Sequence, residues 1–282
     1  MKVTTNSTLT LTINGRTTHY NRPLIMGILN VTPDSFYDGG QHFSVNQAIQ
    51  QCEKMIAEGA DIIDIGGQST RPNSERISAS EELKRIAPVL DSIVNHFPDT
   101  LISIDTYHSE VAKSAVQMGA HIINDISAGE DDPLMTETVA QLNVPYIIMH
   151  KKGTVETMHS SSSYNNVVDE VKKHLQQKVI ELNQLGINQI IIDPGFGFSK
   201  SKSENFELLN HLDEFKSIGA PILVGISRKS MIYKTLEINP EDSLNGTTVL
   251  NTIALLKGAN ILRVHDVKAC KETIQLVQYF NQ

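Results

Sequence analysis

Residues 186–198 read Gly-Ile-Asn-Gln-Ile-Ile-Ile-Asp-Pro-Gly-Phe-Gly-Phe, and their order decides the fold. Gly186 offers the left-handed conformation that stops a helix. The run from Gln189 to Asp193 is apolar without alternation, the pattern of a parallel strand buried on both faces. Asp193 closes that strand at its C-terminal end, and a loop containing Pro and Gly leads away. A chain repeating this unit builds an α/β sheet with parallel strands.

The unit recurs in both directions. Equivalent apolar runs occupy Leu24 to Asn30, Asp61 to Gly66, Leu101 to Asp105, His121 to Asp125, Pro145 to His150, Pro221 to Ser227 and Asn260 to Asp266. Gly59, Gly119, Gly219 and Gly258 each mark a helix stop just before a strand. Ser44 with Gln47, Ser78 with Glu81 and Ser201 with Glu204 read as capping boxes that start helices. Asp132-Pro133 reads as an N-cap followed by a first-turn proline, and Pro88 predicts a kink.

Eight strands with intervening helices predict an α/β fold, a (β/α)8 TIM barrel. Leu9 to Tyr20, with Asn14-Gly15 at its centre, predicts an N-terminal β-hairpin that lids the barrel's bottom. No low-complexity linker interrupts the chain, so residues 1–282 read as a single domain with 1–22 as a hairpin extension.

With 282 residues, 40% hydrophobic, the chain can bury a large core. Its formal net charge of -8 argues against a general nucleic-acid or membrane-surface role, since both want excess Lys and Arg. No apolar run of about 18 residues suggests a membrane span, and the N-terminus has no signal-peptide core. Cys52 and Cys270 fall in helical segments and make neither a disulfide framework nor a zinc site, which points to a reducing, cytoplasmic setting.

Asn30, Asp105, Asn124, His150, Asp193, Ser227, Arg263 and His265 all stand at C-terminal strand ends. That face carries the chemistry in barrels. Solvent at strand ends explains one or two polar residues, but poorly a ring drawn from so many strands. Ser227-Arg228-Lys229-Ser230 after the seventh strand, with Arg263 and His265 on the eighth, forms an expected anion cradle. Closure sets the eighth strand beside the first, so Asn30 is expected to meet Arg263 and His265.

A carboxylate buried at a strand end needs donors, and a flat heterocycle with an amidine-like N–H edge offers Asp193 two at once. Lys229, Asp105 and Asn124 would complete recognition of such a ring; an internal Asp193–Lys229 ion pair is the plainer alternative. Gly195-Phe-Gly197 lacks the third glycine and the immediate helix of a dinucleotide fingerprint. Phe36, Arg71 and Pro72 lie in the loops Val31 to Phe43 and Ser69 to Ile77, where contacts made on closure are expected. His108, His121 and His159 read as surface or satisfied core residues, and Lys151 and Lys152 as solvated. There is neither a Cys nucleophile nor a Gly-x-Ser-x-Gly elbow.

With these residues in view, the chain closely resembles the dihydropteroate synthases. The matching segments are MGILNVTPDSF (26–36), DIGGQSTRP (64–72), SIDT (103–106), HIINDI (121–126), DPGFGFSK (193–200), GISRKSMI (225–232) and RVHDV (263–267), in family order. The resemblance implies condensation of 4-aminobenzoate with the methyl diphosphate of 7,8-dihydropterin, releasing pyrophosphate and forming 7,8-dihydropteroate for folate biosynthesis. It implies that Asp105, Asn124, Asp193 and Lys229 hold the pterin, and that Arg263, His265 and Asn30 hold the diphosphate, Asn30 also as a Mg²⁺ ligand. Phe36, Thr70, Arg71, Pro72, Phe198 and Ser230 would shape the aminobenzoate site, the target of sulfonamides. Thr70 would also touch the pterin diphosphate, and Asp38 would lie on a mobile first loop. Asp105, Asp193, Lys229, Arg263 and His265 would carry an SN1-like displacement, in a homodimer built through the later helices.

The chain departs from the family pattern in places. Gln68 stands where Glu is common, Asn73 where Gly is common, and Tyr37 where Ser is usual. His150-Lys-Lys-Gly-Thr-Val155 replaces a His-Met-x-Gly-x-Pro pattern. Three rival readings are separable. A pterin-dependent methyltransferase needs no diphosphate ligands, a metal-dependent barrel hydrolase wants a strand-end His-x-His pair, and a silent homologue should have lost ligands.

Overall fold

The computed structural model describes residues 8–31, 41–68, 76–153 and 163–280, with the backbone alone for 41–44. A hairpin of β1 (Leu9–Ile13) and β2 (Arg16–Tyr20) precedes eight parallel strands. These are β3 (Leu24–Asn30), β4 (Ile62–Gly66), β5 (Leu101–Asp105), β6 (Ile122–Asp125), β7 (Tyr146–Met149), β8 (Ile190–Asp193), β9 (Leu223–Val224) and β10 (Ile261–Val264). Between and after them run α1 (Gln41–Glu58), α2 (Ala79–His96), α3 (Ser109–Gln117), α4 (Met135–Leu142), α5 (Val167–Gln184), α6 (Lys202–Asn210), α7 (Ser230–Leu236), α8 (Leu244–Lys257) and α9 (Val267–Phe280).

Sheet order follows chain order from β3 to β8, and β10 lies between β3 and β9. The Ile192–Ile222 bridge joins β8 to the residue before β9 and completes the ring. The expected TIM barrel with its hairpin is therefore present. The seventh strand is much shorter than Pro221 to Ser227: its ladder spans two residues, after which Ser227 and Arg228 turn, Arg228 with φ 57°.

Inward and outward positions alternate along each strand. Leu24, Met26, Ile62, Ile122, Ile147, Ile191, Leu223 and Ile261 form an apolar floor inside the barrel. Leu9 and Leu11 of β1 plug that floor from below, and Gln189 holds the hairpin by exchanging hydrogen bonds with the Thr12 backbone (2.6 and 2.9 Å). The opposite strand faces pack on the helices in a second, larger cluster. Two residues above the floor, the same inward rows carry Asp64, Ser103, Asn124, Met149, Asp193 and Arg263. An apolar floor thus gives way to a polar mouth within one strand period.

Gly59, Gly119, Gly186, Gly219 and Gly258 all have positive φ where helices end. Ser201 and Glu204 make a complete capping box; Ser78 accepts from the Glu81 amide without the reciprocal bond. Asp132 does not cap α4, which begins at Met135; its carboxylate instead accepts from the Leu134 and Ser109 amides, tying two segments together. Helix α2 continues for 18 residues with Pro88 inside it. The Ser44 pairing lies outside the described side chains. Both cysteines are buried and free. Among the described residues no helix is long and apolar enough to cross a membrane.

Candidate active site

Neighbouring strands bring the polar rows to one height. Asn30 is registered with Gly66, Gly66 with Asp105, and Asp105 with Asn124. Because Gly66 has no side chain, its neighbours face one another: a Cβ built there would lie 3.7 Å from Asp105 Oδ2 and 3.8 Å from Asn30 Oδ1. Arg263 reaches in from β10, its Nε donating to Asp64 Oδ2 and its Nη2 to Asp105 Oδ2, each at 2.7 Å. Asn124 Nδ2 donates to the same Asp64 oxygen at 3.1 Å. One cation and two carboxylates are thereby locked together at the base of the mouth.

The loop after β8 is shaped from within. Asp193 Oδ1 accepts from the Gly195 amide at 2.8 Å. A Cβ at Gly195 would lie 2.0 Å from the His150 carbonyl oxygen, so only glycine lets this turn pass beneath β7. Lys200, buried, donates to the carbonyls of Gly195 (2.9 Å), Phe198 (3.1 Å) and His150 (3.3 Å), clasping the loop. Lys229 crosses above: its ammonium donates to the Phe196 carbonyl and stands 4.4 Å from the Phe198 ring centre. Phe198 is buried with Tyr107, Ile126 and Met149. Ser230 is the first residue of α7.

Burial dominates the electrostatics. Desolvation raises the Asp105 carboxyl, helped by Asp64 and opposed by Arg263. It also raises Asp193, where Lys229 and the Gly195 amide pull the other way. Lys229 is lowered to about 8 by burial, partly offset by Asp193. His265 is lowered to about 4 by burial and the nearby Arg263 and Arg228 charges, so its ring is neutral at pH 7. Its Nδ1 lies 3.1 Å from Ser227 Oγ. Arg263 stays charged, since two carboxylates more than offset its burial.

The structure therefore brings together Asp105, Asn124, Asp193, Lys229, Arg263 and His265 around one mouth. Asp193 and Lys229 do not form the alternative ion pair. Several expectations are corrected. β10 and β3 pair, but Arg263 is registered with Met26, four residues below Asn30, and no hydrogen bond joins Asn30 to Arg263 or His265 among the described residues. Arg228 is held in a two-point pair by Asp266 (2.9 and 2.7 Å) and is not free to complete an anion cradle.

His150 follows the outward face of β7 and packs on His174 (rings 5.0 Å apart) and Lys200, away from the acid cluster. Lys151 is buried against Asp131 at 3.1 Å rather than solvated; Lys152 pairs with Glu170 at 2.8 Å. His121 and His108 are satisfied by backbone partners, as expected. Phe36, Asp38, Thr70, Arg71, Pro72 and His159 lie outside the described residues. Gln68, one of the departures from pattern, accepts from the Ile77 amide (2.9 Å) and Tyr107 hydroxyl (3.4 Å), bridging the two ends of the second loop.

Asp64 is the residue that sequence reasoning missed. It lies mid-strand, fully buried, two positions above Ile62 on the inward row. Extending the inward periodicity of 62, 64, 66 through the strand would have found it.

A barrel whose strand ends gather acids, an amide and cations over a sealed apolar floor defines a class of small-molecule enzyme. A family model described as pterin binding enzyme matches residues 26–265. The chain is 46% identical to the dihydropteroate synthase of Haemophilus influenzae, covering 91% of this chain and 93% of the relative. It is 42% identical to that of Escherichia coli K12, covering 94% of each. The solved Xanthomonas albilineans dihydropteroate synthase with 4-aminobenzoic acid superposes with a TM-score of 0.90 at 39% identity, over 97% of this chain and 98% of that one. The chain belongs to the pterin-binding enzyme family. Within that family it falls among the dihydropteroate synthases.

Proposed function

We propose that the chain joins 4-aminobenzoate to the methyl diphosphate of 7,8-dihydropterin, releasing pyrophosphate and forming 7,8-dihydropteroate. The observation that carries this reading is the convergence on one mouth of Asp105, Asn124, Asp193 and Lys229, the residues to which the family resemblance gives the pterin. Asp193 accepts from the N–H edge of the ring, Asn124 and Asp105 take further ring positions, and Lys229 donates from above. The ring then replaces the water that these polar groups would otherwise need.

Departure of the diphosphate leaves a methyl cation stabilised by the pterin ring, which the aryl amine attacks. The side chains act through position and charge, with no enzyme nucleophile. Arg263, with Nε and Nη2 committed to acids, presents its remaining nitrogen to the departing anion, and His265 adds a second donor. The first turn of α7, at Ser230, and Phe198 border the aminobenzoate position, with Phe36, Thr70, Arg71 and Pro72 contributed by the loops.

The reading includes Mg²⁺. No group of three or more His, Cys, Asp or Glu able to hold a metal occurs among the described residues. The Asn30 carboxamide oxygen is a hard, neutral donor, which fits an ion bound mainly through substrate phosphates and water. Bound there, Mg²⁺ would neutralise charge on the leaving group. Val249 of α8 and Leu276, Tyr279 and Phe280 of α9 are exposed, between 52% and 79%; these apolar side chains support a homodimer through the later helices. A cytoplasmic location accords with two free, buried thiols.

Pyrophosphate release by the purified protein should require both substrates and Mg²⁺, and sulfonamides should compete with 4-aminobenzoate. Absence of release while the pterin still binds would replace this reading with a silent binding protein.

A further inference from the structure

Asp64 is absent from the expected ligand set, yet two members of that set hang from it. Its Oδ2 accepts from Asn124 Nδ2 and from Arg263 Nε, while Oδ1, also buried, has no hydrogen-bond partner among the described residues. A carboxamide has two ends of similar size and opposite hydrogen-bonding sense. A carboxylate accepts only from the NH₂ end, so Asp64 permits one amide orientation of Asn124. One N–H and the Oδ1 acceptor then remain, in fixed order, for a ligand. Arg263 is constrained likewise, its guanidinium plane pinned by Asp64 on β4 and Asp105 on β5.

We propose that Asp64 is a positioning residue for ligand specificity: by orienting Asn124 and Arg263, it dictates the sequence of donors and acceptors that a ring meets. The inference rests on the pterin reading above. A purely charge-compensating Asp64 would neutralise Arg263 without ordering Asn124, and its loss would weaken all ring ligands alike. An orienting Asp64 matters most for a ring edge whose donor sits where the amide oxygen waits.

Calorimetric titration of two probes separates these roles. One is 6-hydroxymethylpterin; the other is its 2,4-dioxo counterpart, in which the exocyclic amine becomes a carbonyl. The intact protein should prefer the amino ring. Asp64→Ala should shrink that preference at least ~10-fold, a small part of the roughly 10⁴–10⁵-fold discrimination that sites built around a substrate's hydrogen-bonding group reach. Asp64→Asn keeps an acceptor oxygen in place and should retain the preference within about threefold, a change of under 1 kcal/mol. Asp64→Ser, too short to reach Asn124, substitutes for the alanine variant should that one not fold. Equal weakening of both rings in the Ala or Ser variant, with the preference intact, overturns the proposal. Absence of binding or preference in the intact protein instead removes the pterin reading beneath it.

Discussion

Lys229 is held in the mouth by one carbonyl and one aromatic face, with Asp193 as its electrostatic counterweight. Lys229→Ala should therefore weaken the pterin diphosphate by about 1.5–3 kcal/mol, the scale of a hydrogen bond to a charged group, by isothermal calorimetry; an unchanged dissociation constant would remove Lys229 from the site. His265 makes a different prediction. Burial holds the free imidazole down to about 4, and an arriving diphosphate favours its protonated form. The bound value then exceeds the free one, so protons are taken up on binding and affinity strengthens as pH falls toward 4. Calorimetry in buffers of different ionisation enthalpy should register this uptake, reduced in His265→Asn. Residues such as these were legible in the sequence because each lies at or just beyond the end of an apolar run. Asp64 was hidden by its place inside a run, and His150 misled because a strand-end position does not reveal which face it takes.

At the scale of elements, the hairpin and the loop after β8 show how local rules meet tertiary demands. Leu11 is buried in the barrel floor, remote from the polar mouth. Leu11→Ala should cost about 2–5 kcal/mol in a urea titration, while leaving KM for both substrates unchanged; a rise in KM would mean that the floor shapes the mouth. Helix stops and most strand bounds were readable, because glycine at a C′ position and unbroken Ile-rich runs are local signals. Asp132 misread as a cap for the opposite reason. Its carboxylate serves the Ser109 amide, 23 residues away in sequence, a partner that no local pattern announces. The register of β10 on β3 was equally invisible: adjacency follows from closure, but the stagger depends on how all eight strands tilt.

For the molecule as a whole, buried charge links stability to pH. Glu82 on α2 is fully buried, accepts from Thr106 Oγ1 at 2.9 Å, and is raised to about 8, chiefly by desolvation. With the folded value above the unfolded one, its contribution is complete below the ordinary carboxylate range and lost as pH climbs through 8. Glu82→Gln should remove that loss, so its advantage over the parent should grow by about 1 kcal/mol or more between pH 5 and 8, read from urea midpoints. An advantage independent of pH would show that Glu82 ionises as freely folded as unfolded. Fold class was legible at this scale because the strand–helix unit repeats.

The two thiols mark where that closure is made. Cys52 on α1 and Cys270 on α9 are buried beside the seam at which β10 meets β3, and desolvation lifts both to about 12. They are inert toward thiol-specific reagents while the ring stays shut. Labelling in native buffer thus becomes a clock for breathing of the chain's first and last barrel segments. Its rate should slow when ligand binding braces the mouth above.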